Sequence, residues 1–137
     1  MSVDNLMKDI LPLAERMLRD YGEFYPYGGY VRSGGEIVHV GAKGDTDHPK
    51  SQTLIDMLRS SFQDMARRNE CRATAIAFDV AMRLPNSDHK SDVIQVCLDH
   101  VGGYSAELFF SYKVIDNRLI YGETLAREGK HEIFPPQ

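Results

Sequence analysis

The residue types best suited to acid–base chemistry gather in a polar loop and at the end of an apolar strand pattern. His89 follows Asp88 and precedes Asp92 in the loop, while Asp99 and His100 are adjacent in the strand pattern. An imidazole and a carboxylate can transfer protons or bind a metal ion. Because neighbouring strand residues point to opposite faces, Asp99 and His100 cannot form one dyad. His89, Asp92 and His100 are candidate catalytic residues, although the pattern favours a solvated polar loop around His89.

Asp79 is an acid on an otherwise alanine-rich strand face. Ala73, Ala75, Ala77 and Ala81 occupy the alternate positions around it. An acid within such a face must be paired, protonated or close to an edge of the sheet. The pattern therefore favours a structural role for Asp79, such as pairing with an arginine or capping a helix. A pocket carboxylate is the alternative, and it makes Asp79 a fourth candidate catalytic residue.

Motifs for cofactors and metals are missing from the sequence. The segment Gly41-Ala42-Lys43-Gly44-Asp45-Thr46 precedes a predicted helix but lacks the Walker spacing, which favours a flexible loop. No nucleophile elbow of the G-x-S-x-G type occurs. Cys71 and Cys97 do not form a CxxC pair, so we predict two buried thiols. We expect no cofactor and no metal.

An aromatic segment between a helical pattern and a strand pattern is the most unusual feature of the chain. Five of the thirteen Phe and Tyr residues lie within Tyr21–Tyr30, together with Gly and Pro. One interpretation is that Phe24, Tyr25 and Tyr27 fill the end of the core while Pro26 fixes the turn. The other is that rings of this segment line a groove for a peptide or a planar ligand. The candidate binding residues in that case are Tyr21, Tyr25, Tyr27 and Tyr30.

The same segment carries a resemblance. Gly22-Glu23-Phe24-Tyr25-Pro26-Tyr27-Gly28 resembles the GEFYPFG-type segment that follows the first helix in a group of small bacterial proteins of unknown function. Asp92-Val93-Ile94 and Asp99-His100 are similar to patterns in the later strands of that group. Tyr27 stands where the group has Phe. The resemblance covers most of the chain and implies the boundaries of the fold, but it implies no activity.

Composition excludes several classes of protein. A chain of 137 residues fits one domain, residues 1–137, large enough to fold without disulfides or metals. The formal net charge of −4 disfavours a general grip on phosphate backbones, so we expect no nucleic acid partner. The longest apolar runs are only a few residues, and the first residues are unlike a secretory signal. We therefore predict a cytoplasmic location and no membrane association.

The apolar spacing predicts two main helices. Residues 4–21 form an amphipathic helix that Gly22 ends, with Pro12 causing a kink or a late start. A hairpin over residues 30–40 turns through Ser33-Gly34-Gly35-Glu36. A second helix begins at Pro49 and ends by about Asn69.

Strand patterns fill the second half of the chain. Residues 72–83 alternate as a central strand, and we expect a helix against its alanine side. Residues 91–101 and 105–115 form a hairpin through Gly102-Gly103, with Val101 opposite Tyr104 and Asp92 opposite Lys113. Residues 118–121 add a short strand, and residues 131–134 add a terminal edge strand.

These elements predict an α+β single domain with an antiparallel sheet of five to six strands and two main helices. The order αββαβββ also occurs in profilin-like and roadblock-like domains, an analogy of topology that says nothing of a site. For function, we predict a non-catalytic binding or regulatory module that recognises a protein partner, for example as an immunity-like or regulatory subunit. Self-association as a homodimer is the other form of binding that we predict. The alternatives are a small hydrolytic enzyme using a His and carboxylate pair, and a small-ligand sensor.

Overall fold

The computed structural model describes residues 3–41 and 47–135. Apart from Gly41, the segment Gly41–Thr46 that was predicted as a flexible loop lies outside the described residues. These residues form an α+β domain with two helices and an antiparallel six-stranded sheet, as predicted. The elements in chain order are α1 (Val3–Tyr21), β1 (Tyr27–Arg32), β2 (Ile37–Gly41), α2 (Ser51–Arg67), β3 (Cys71–Arg83), β4 (Lys90–His100), β5 (Ser105–Ile115) and β6 (Arg118–Glu128).

The strands are arranged in the order β2-β1-β3-β4-β5-β6, and every neighbouring pair is antiparallel. Helix α1 packs on the face of β3 that carries Ala73, Ala75 and Ala77. Helix α2 packs on the opposite face through Leu58 and Phe62. The prediction of a helix against the alanine side is therefore confirmed, and the domain has three layers with the sheet in the middle.

Helix α1 buries one stripe of residues. Leu6, Ile10, Ala14 and Leu18 recur every four residues and are at most 1% exposed. Gly22 has a φ of 77°, and its N–H donates to the Leu18 carbonyl at 2.9 Å. Gly22 thus ends the helix as predicted, because glycine adopts this left-handed conformation without strain.

Pro12 lies inside α1, and the helix has no late start, since it begins at Val3. The Tyr27 hydroxyl donates to the Ile10 carbonyl and accepts from the Ala14 N–H at 3.1 Å. In a regular α-helix these two backbone groups bond to each other. Tyr27 is therefore inserted into the helical hydrogen-bond ladder next to the proline, a known cause of helix bending.

The second core lies between the sheet and α2, and the end of the chain closes it. Ile133 is 3% exposed and joins the cluster of Leu58, Phe62 and Ile76. The predicted edge strand at residues 131–134 is wrong, because this segment has no strand pairing and packs across α2 instead. Its backbone is fixed by the Gln63 amide, which donates to the Glu132 carbonyl at 2.9 Å. Strand β6 is longer than the predicted 118–121.

The predicted register of the β4–β5 hairpin is wrong by one residue. Asp99 lies opposite Ser105, and the His100 N–H donates to the Tyr104 carbonyl, so the loop has three residues, 101–103. Gly103 has a φ of 104°, the left-handed third position that such loops require. Val93 consequently lies opposite Ser111, and Asp92 does not face Lys113.

The two cysteines are unpaired. Cys71 is buried and Cys97 is partly buried. Burial raises the pKa of each thiol to about 11, and a neighbouring carboxylate adds to the effect. Both residues are therefore thiols near neutral pH, and their reactivity as nucleophiles is low.

Helix α1 is amphipathic rather than apolar all round, and among the described helices none is long and apolar enough to cross a membrane.

Candidate functional site

A gap in the sheet forms where β3 extends beyond β1. Strand β1 begins at Tyr27, which lies opposite Ala77. Strand β3 continues to Arg83, which pairs with Lys90 of β4. Over Phe78–Arg83, β3 therefore has a strand neighbour on one side only among the residues that the structure describes.

A cleft of about 390 Å³ opens at this gap, and we call it the aromatic cleft. It is bounded by the end of α1, the connection between α1 and β1, the start of α2, and β3. Since the two helices lie on opposite faces of the sheet, the cleft sits at the β3 edge rather than on either face. The lining residues are Met17, Tyr21, Glu23, Phe24, Tyr25, Ser51 and Asp79.

The start of α2 differs slightly from the prediction, and this places Ser51 in the cleft. The helix begins at Ser51 rather than at Pro49, because Lys50 has extended backbone angles, φ −72° and ψ 139°. Lys50 forms no side-chain cap within the described residues. The first turn of α2 therefore meets the cleft without a capping side chain.

Two tyrosines form the exposed wall of the aromatic cleft. Tyr21 is 75% exposed and Tyr25 is 48% exposed. No hydrogen bond within residues 3–41 and 47–135 engages either hydroxyl. Phe24 lies between them in the chain but is buried, and it packs edge-on against Tyr27 with ring centroids 5.8 Å apart. The exposed rings therefore flank a residue anchored in the core.

Asp79 supplies a half-buried carboxylate to the same cleft. The Tyr112 hydroxyl donates to Asp79 Oδ1 at 2.7 Å. Burial raises the pKa of Asp79; the Tyr112 hydrogen bond opposes this effect, and the charges of Asp92 and Glu23 add to it. The predicted arginine partner is not found among the described residues. Asp79 therefore lies where the alternative interpretation placed it, as a carboxylate that lines a pocket.

We expect Asp79→Asn to leave the free energy of unfolding unchanged or to raise it near neutral pH. The folded state holds the pKa of Asp79 above its unfolded value, so ionisation favours unfolding. In the wild type this penalty begins to shrink as the pH falls through the raised folded pKa and is gone below the unfolded pKa, and in the variant it is absent at every pH. Asn can still accept the Tyr112 hydrogen bond.

Urea unfolding near neutral and at mildly acidic pH measures this effect, with Asp88→Asn in the exposed loop as the matched control. A loss of more than about 1 kcal/mol in Asp79→Asn at neutral pH would contradict the expectation, since a typical net hydrogen bond contributes about that much.

The other two candidate tyrosines lie elsewhere. Tyr27 is 6% exposed and belongs to the α1 side of the core. Tyr30 is half-buried on the α2 side, with its ring centroid 6.1 Å from that of Phe62. Side chains of β1 alternate between the two faces of the sheet, so Tyr27 packs on the α1 side and Tyr30 packs on the α2 side. Neither residue lines the aromatic cleft. Tyr27 therefore cannot take part in a binding surface.

The candidate catalytic histidines are separated. His89 and Asp92 line a second open cavity of about 360 Å³ near the ends of β4 and β6. His100 lies at the opposite end of β4, where its Nδ1 accepts from the Gly102 N–H at 2.8 Å. Within the described residues, no hydrogen bond joins either histidine to Asp79, Asp92 or Asp99, and no group of three metal-ligating side chains forms.

Two polar arrangements were not predicted. His39 Nε2 lies 2.5 Å from Asp9 Oδ2 and links β2 to α1 on the surface. Glu107 is 8% exposed and is bound by Arg127 at 2.6 Å, beside a cavity of only about 50 Å³. A cavity of this size holds water but not an organic ligand. The partners are 30 residues apart in the Asp9–His39 pair and 20 residues apart in the Glu107–Arg127 pair, so no local sequence pattern predicts either pair.

Asp99 lines the same small cavity. Burial raises its pKa, while hydrogen bonding with Ser105 and the charges of His131 and Arg59 oppose the shift. The contact that joins the C-terminal segment to the sheet here is made by Ser105, whose hydroxyl oxygen accepts from the His131 N–H at 3.2 Å.

Comparison with protein family models, with curated proteins and with solved structures finds no match to this chain. The resemblance to small bacterial proteins stays a prediction.

Proposed function

We propose that this chain is a non-catalytic cytoplasmic binding or regulatory module that recognises a protein partner through the aromatic cleft. The observation that carries the proposal is the pair of exposed tyrosines, Tyr21 and Tyr25, beside the half-buried Asp79. Tyrosine is enriched among the residues that dominate binding energy at protein interfaces. Its ring gives a large contact area with few rotatable bonds to immobilise.

The openness of the cleft favours a protein partner over a small ligand. Small-molecule sites enclose about 70–90% of the ligand surface. Tyr21 is 75% exposed, and a small ligand resting on it would remain largely in water. A protein surface can cover both rings from outside and exclude water from them.

The hydrolytic alternative has less support. Asp79 lines the aromatic cleft, whereas His89 and Asp92 line a different cavity. Among the described residues, no hydrogen bond joins a candidate histidine to a candidate carboxylate. General acid–base catalysis requires such contacts, directly or through one water.

The test is the double variant Tyr21→Ser with Tyr25→Ser. We expect it to weaken partner binding by about 2 kcal/mol or more, the size typical of a dominant interface residue. Its thermal stability should stay close to that of the wild type, because both rings are exposed. Affinity capture from a native lysate with the immobilised chain, followed by titration of the purified partner, measures the loss.

Tyr104→Ser is the matched control. Tyr104 is 47% exposed, which is close to the 48% of Tyr25. It lies just after the β4–β5 turn, at the end of the strands away from the aromatic cleft. The proposal requires that this variant retain the partner. Equal loss in both variants, or a wild-type monomer that retains no stoichiometric partner, would contradict it.

A further inference from the structure

The charge of the aromatic cleft is one-sided. Glu23 and Asp79 contribute carboxylates, and Asp92 lies close enough to act on Asp79 electrostatically. Among the described residues, no lysine, arginine or histidine lines the cleft. The tyrosine rings add negative π faces to these carboxylates. A cationic group of the partner is therefore complementary to the cleft both in charge and in ring contacts.

The backbone beside the cleft is also available for pairing. Strand β3 has β4 on one side along Phe78–Arg83, and the described residues form no backbone hydrogen bond on the other side. An edge of this kind accepts an added strand through its N–H and C=O groups. An added strand would continue the line of β1, which begins opposite Ala77.

We propose that an extended segment of the partner pairs with β3 along Phe78–Arg83 and places an arginine side chain in the aromatic cleft, between the tyrosines and Asp79. This proposal rests on the proposed function, and it names the chemistry of the partner.

Arginine fits the site better than other cations for two reasons. Its planar guanidinium stacks on an aromatic ring while it also donates to a carboxylate. At Asp79 the Tyr112 hydroxyl occupies Oδ1, and Oδ2 has no hydrogen bond among the described residues. Oδ2 and the Glu23 carboxylate can therefore accept from the guanidinium edge, and the tyrosine rings can cover its faces.

The pairing also explains why the arginine would meet Asp79. In an antiparallel pair, residues directly opposite each other on one face have their Cβ atoms about 4.5–5.5 Å apart. Asp79 projects on the α1 side of β3, the side that carries the alanines. An arginine opposite Asp79 would project on the same side, toward the end of α1 and Tyr21.

The test uses the peptide acetyl-Val-Thr-Arg-Thr-Val-amide and its analogue with citrulline in place of arginine. Citrulline keeps the shape of the side chain but carries no charge. Both are titrated into the full ¹⁵N-labelled chain and followed by amide chemical shifts. We expect the arginine peptide to shift amides of Tyr21–Tyr25 and Phe78–Arg83, and the citrulline peptide to bind about tenfold more weakly.

Variants assign the contacts. Asp79→Asn should weaken the arginine peptide about tenfold and leave the citrulline peptide unchanged. Glu23→Gln, at an exposed position, is the second variant and should weaken it in the same direction. Tyr104→Ser should bind both peptides as the wild type does. An arginine peptide methylated on its backbone nitrogens should lose the shifts along Phe78–Arg83.

Two outcomes overturn the proposal: equal binding of the arginine and citrulline peptides, or shifts confined to regions outside the cleft. These outcomes are separate from a failure of the proposed function. A partner lost by the Tyr21 and Tyr25 double variant, together with no preference for arginine, would leave the proposed function standing and reject the arginine. No dependence of partner binding on the tyrosines would reject the proposed function itself.

Discussion

Tyr27→Ala is expected to lower the free energy of unfolding by about 3–5 kcal/mol, the range for deleting a large buried ring. Tyr27 is 6% exposed and packs among residues of α1, β3 and β4. Its ring also contacts Phe24 edge-on. The deletion leaves a cavity on the α1 side of the sheet that the rigid backbone of β1 and β3 cannot close.

Tyr27→Phe separates the ring from the hydroxyl. The hydroxyl bridges the Ile10 carbonyl and the Ala14 N–H, which can bond to each other once it is removed. We therefore expect a loss of only about 0.5–1.5 kcal/mol, the net contribution of an ordinary hydrogen bond. Urea unfolding followed by circular dichroism measures both variants.

Tyr25→Ala is the matched control for Tyr27→Ala. It lies in the same segment but is 48% exposed, so its loss should stay near the small values of surface substitutions. Equal destabilisation by Tyr25→Ala and Tyr27→Ala would show that the aromatic segment acts as one structural unit and would contradict the division into core and cleft residues.

Gly28→Ala should lower the free energy of unfolding by about 1–3 kcal/mol, the usual result of adding atoms to a filled core. A Cβ at this position would lie 2.7 Å from the Ala75 backbone oxygen and 3.0 Å from two ring atoms of Phe62. The oxygen belongs to the neighbouring strand β3 and cannot move without disturbing the β1–β3 pairing.

The neighbouring glycine should be more tolerant. A Cβ on Gly29 would lie 2.6 Å from Ile10 Cδ1, the far end of a buried side chain, and its closest backbone atom, the Val38 oxygen, would be 3.2 Å away rather than 2.7 Å as at Gly28. Gly34→Ala, where nothing lies within 4 Å, should leave stability unchanged or slightly raise it. The expected order of destabilisation is Gly28, then Gly29, then Gly34, and urea unfolding of the three variants checks it. A smaller loss at Gly28 than at Gly29 would contradict this account.

Elements set by local patterns were predictable from the sequence. The stripe of α1, its end at Gly22 and the two-faced alternation of β3 all depend on residue spacing within one element. The alanines of β3 were enough to predict a helix on their side. The interpretation that placed Phe24, Tyr25 and Tyr27 in the core is correct for Phe24 and Tyr27, which are buried, and wrong for Tyr25, which is 48% exposed.

Register and chain ends were less predictable. Gly102 and Gly103 suggested a two-residue turn, but the turn has three residues, and the pairing of β4 with β5 shifts by one. Both turn types accept glycine, so composition does not choose between them. The segment at residues 131–134 has strand-forming residues, yet its apolar side chains find a better partner in α2 than in a sheet edge.

The candidate site also has a part that the sequence predicted and a part that it did not. The sequence by itself marked the tyrosines of Tyr21–Tyr30 and the acid at Asp79, because rings held by Gly and Pro and an acid among alanines are unusual within a few residues of chain. Only the tertiary structure decided that Tyr27 and Tyr30 turn inward while Tyr21 and Tyr25 remain exposed beside Asp79. Tyr27 and Tyr30 turn inward because β1 is an interior strand with a helix packed on each face. The cleft beside Tyr21 and Tyr25 exists because β3 extends beyond β1. Both features depend on contacts between distant segments rather than on any local pattern.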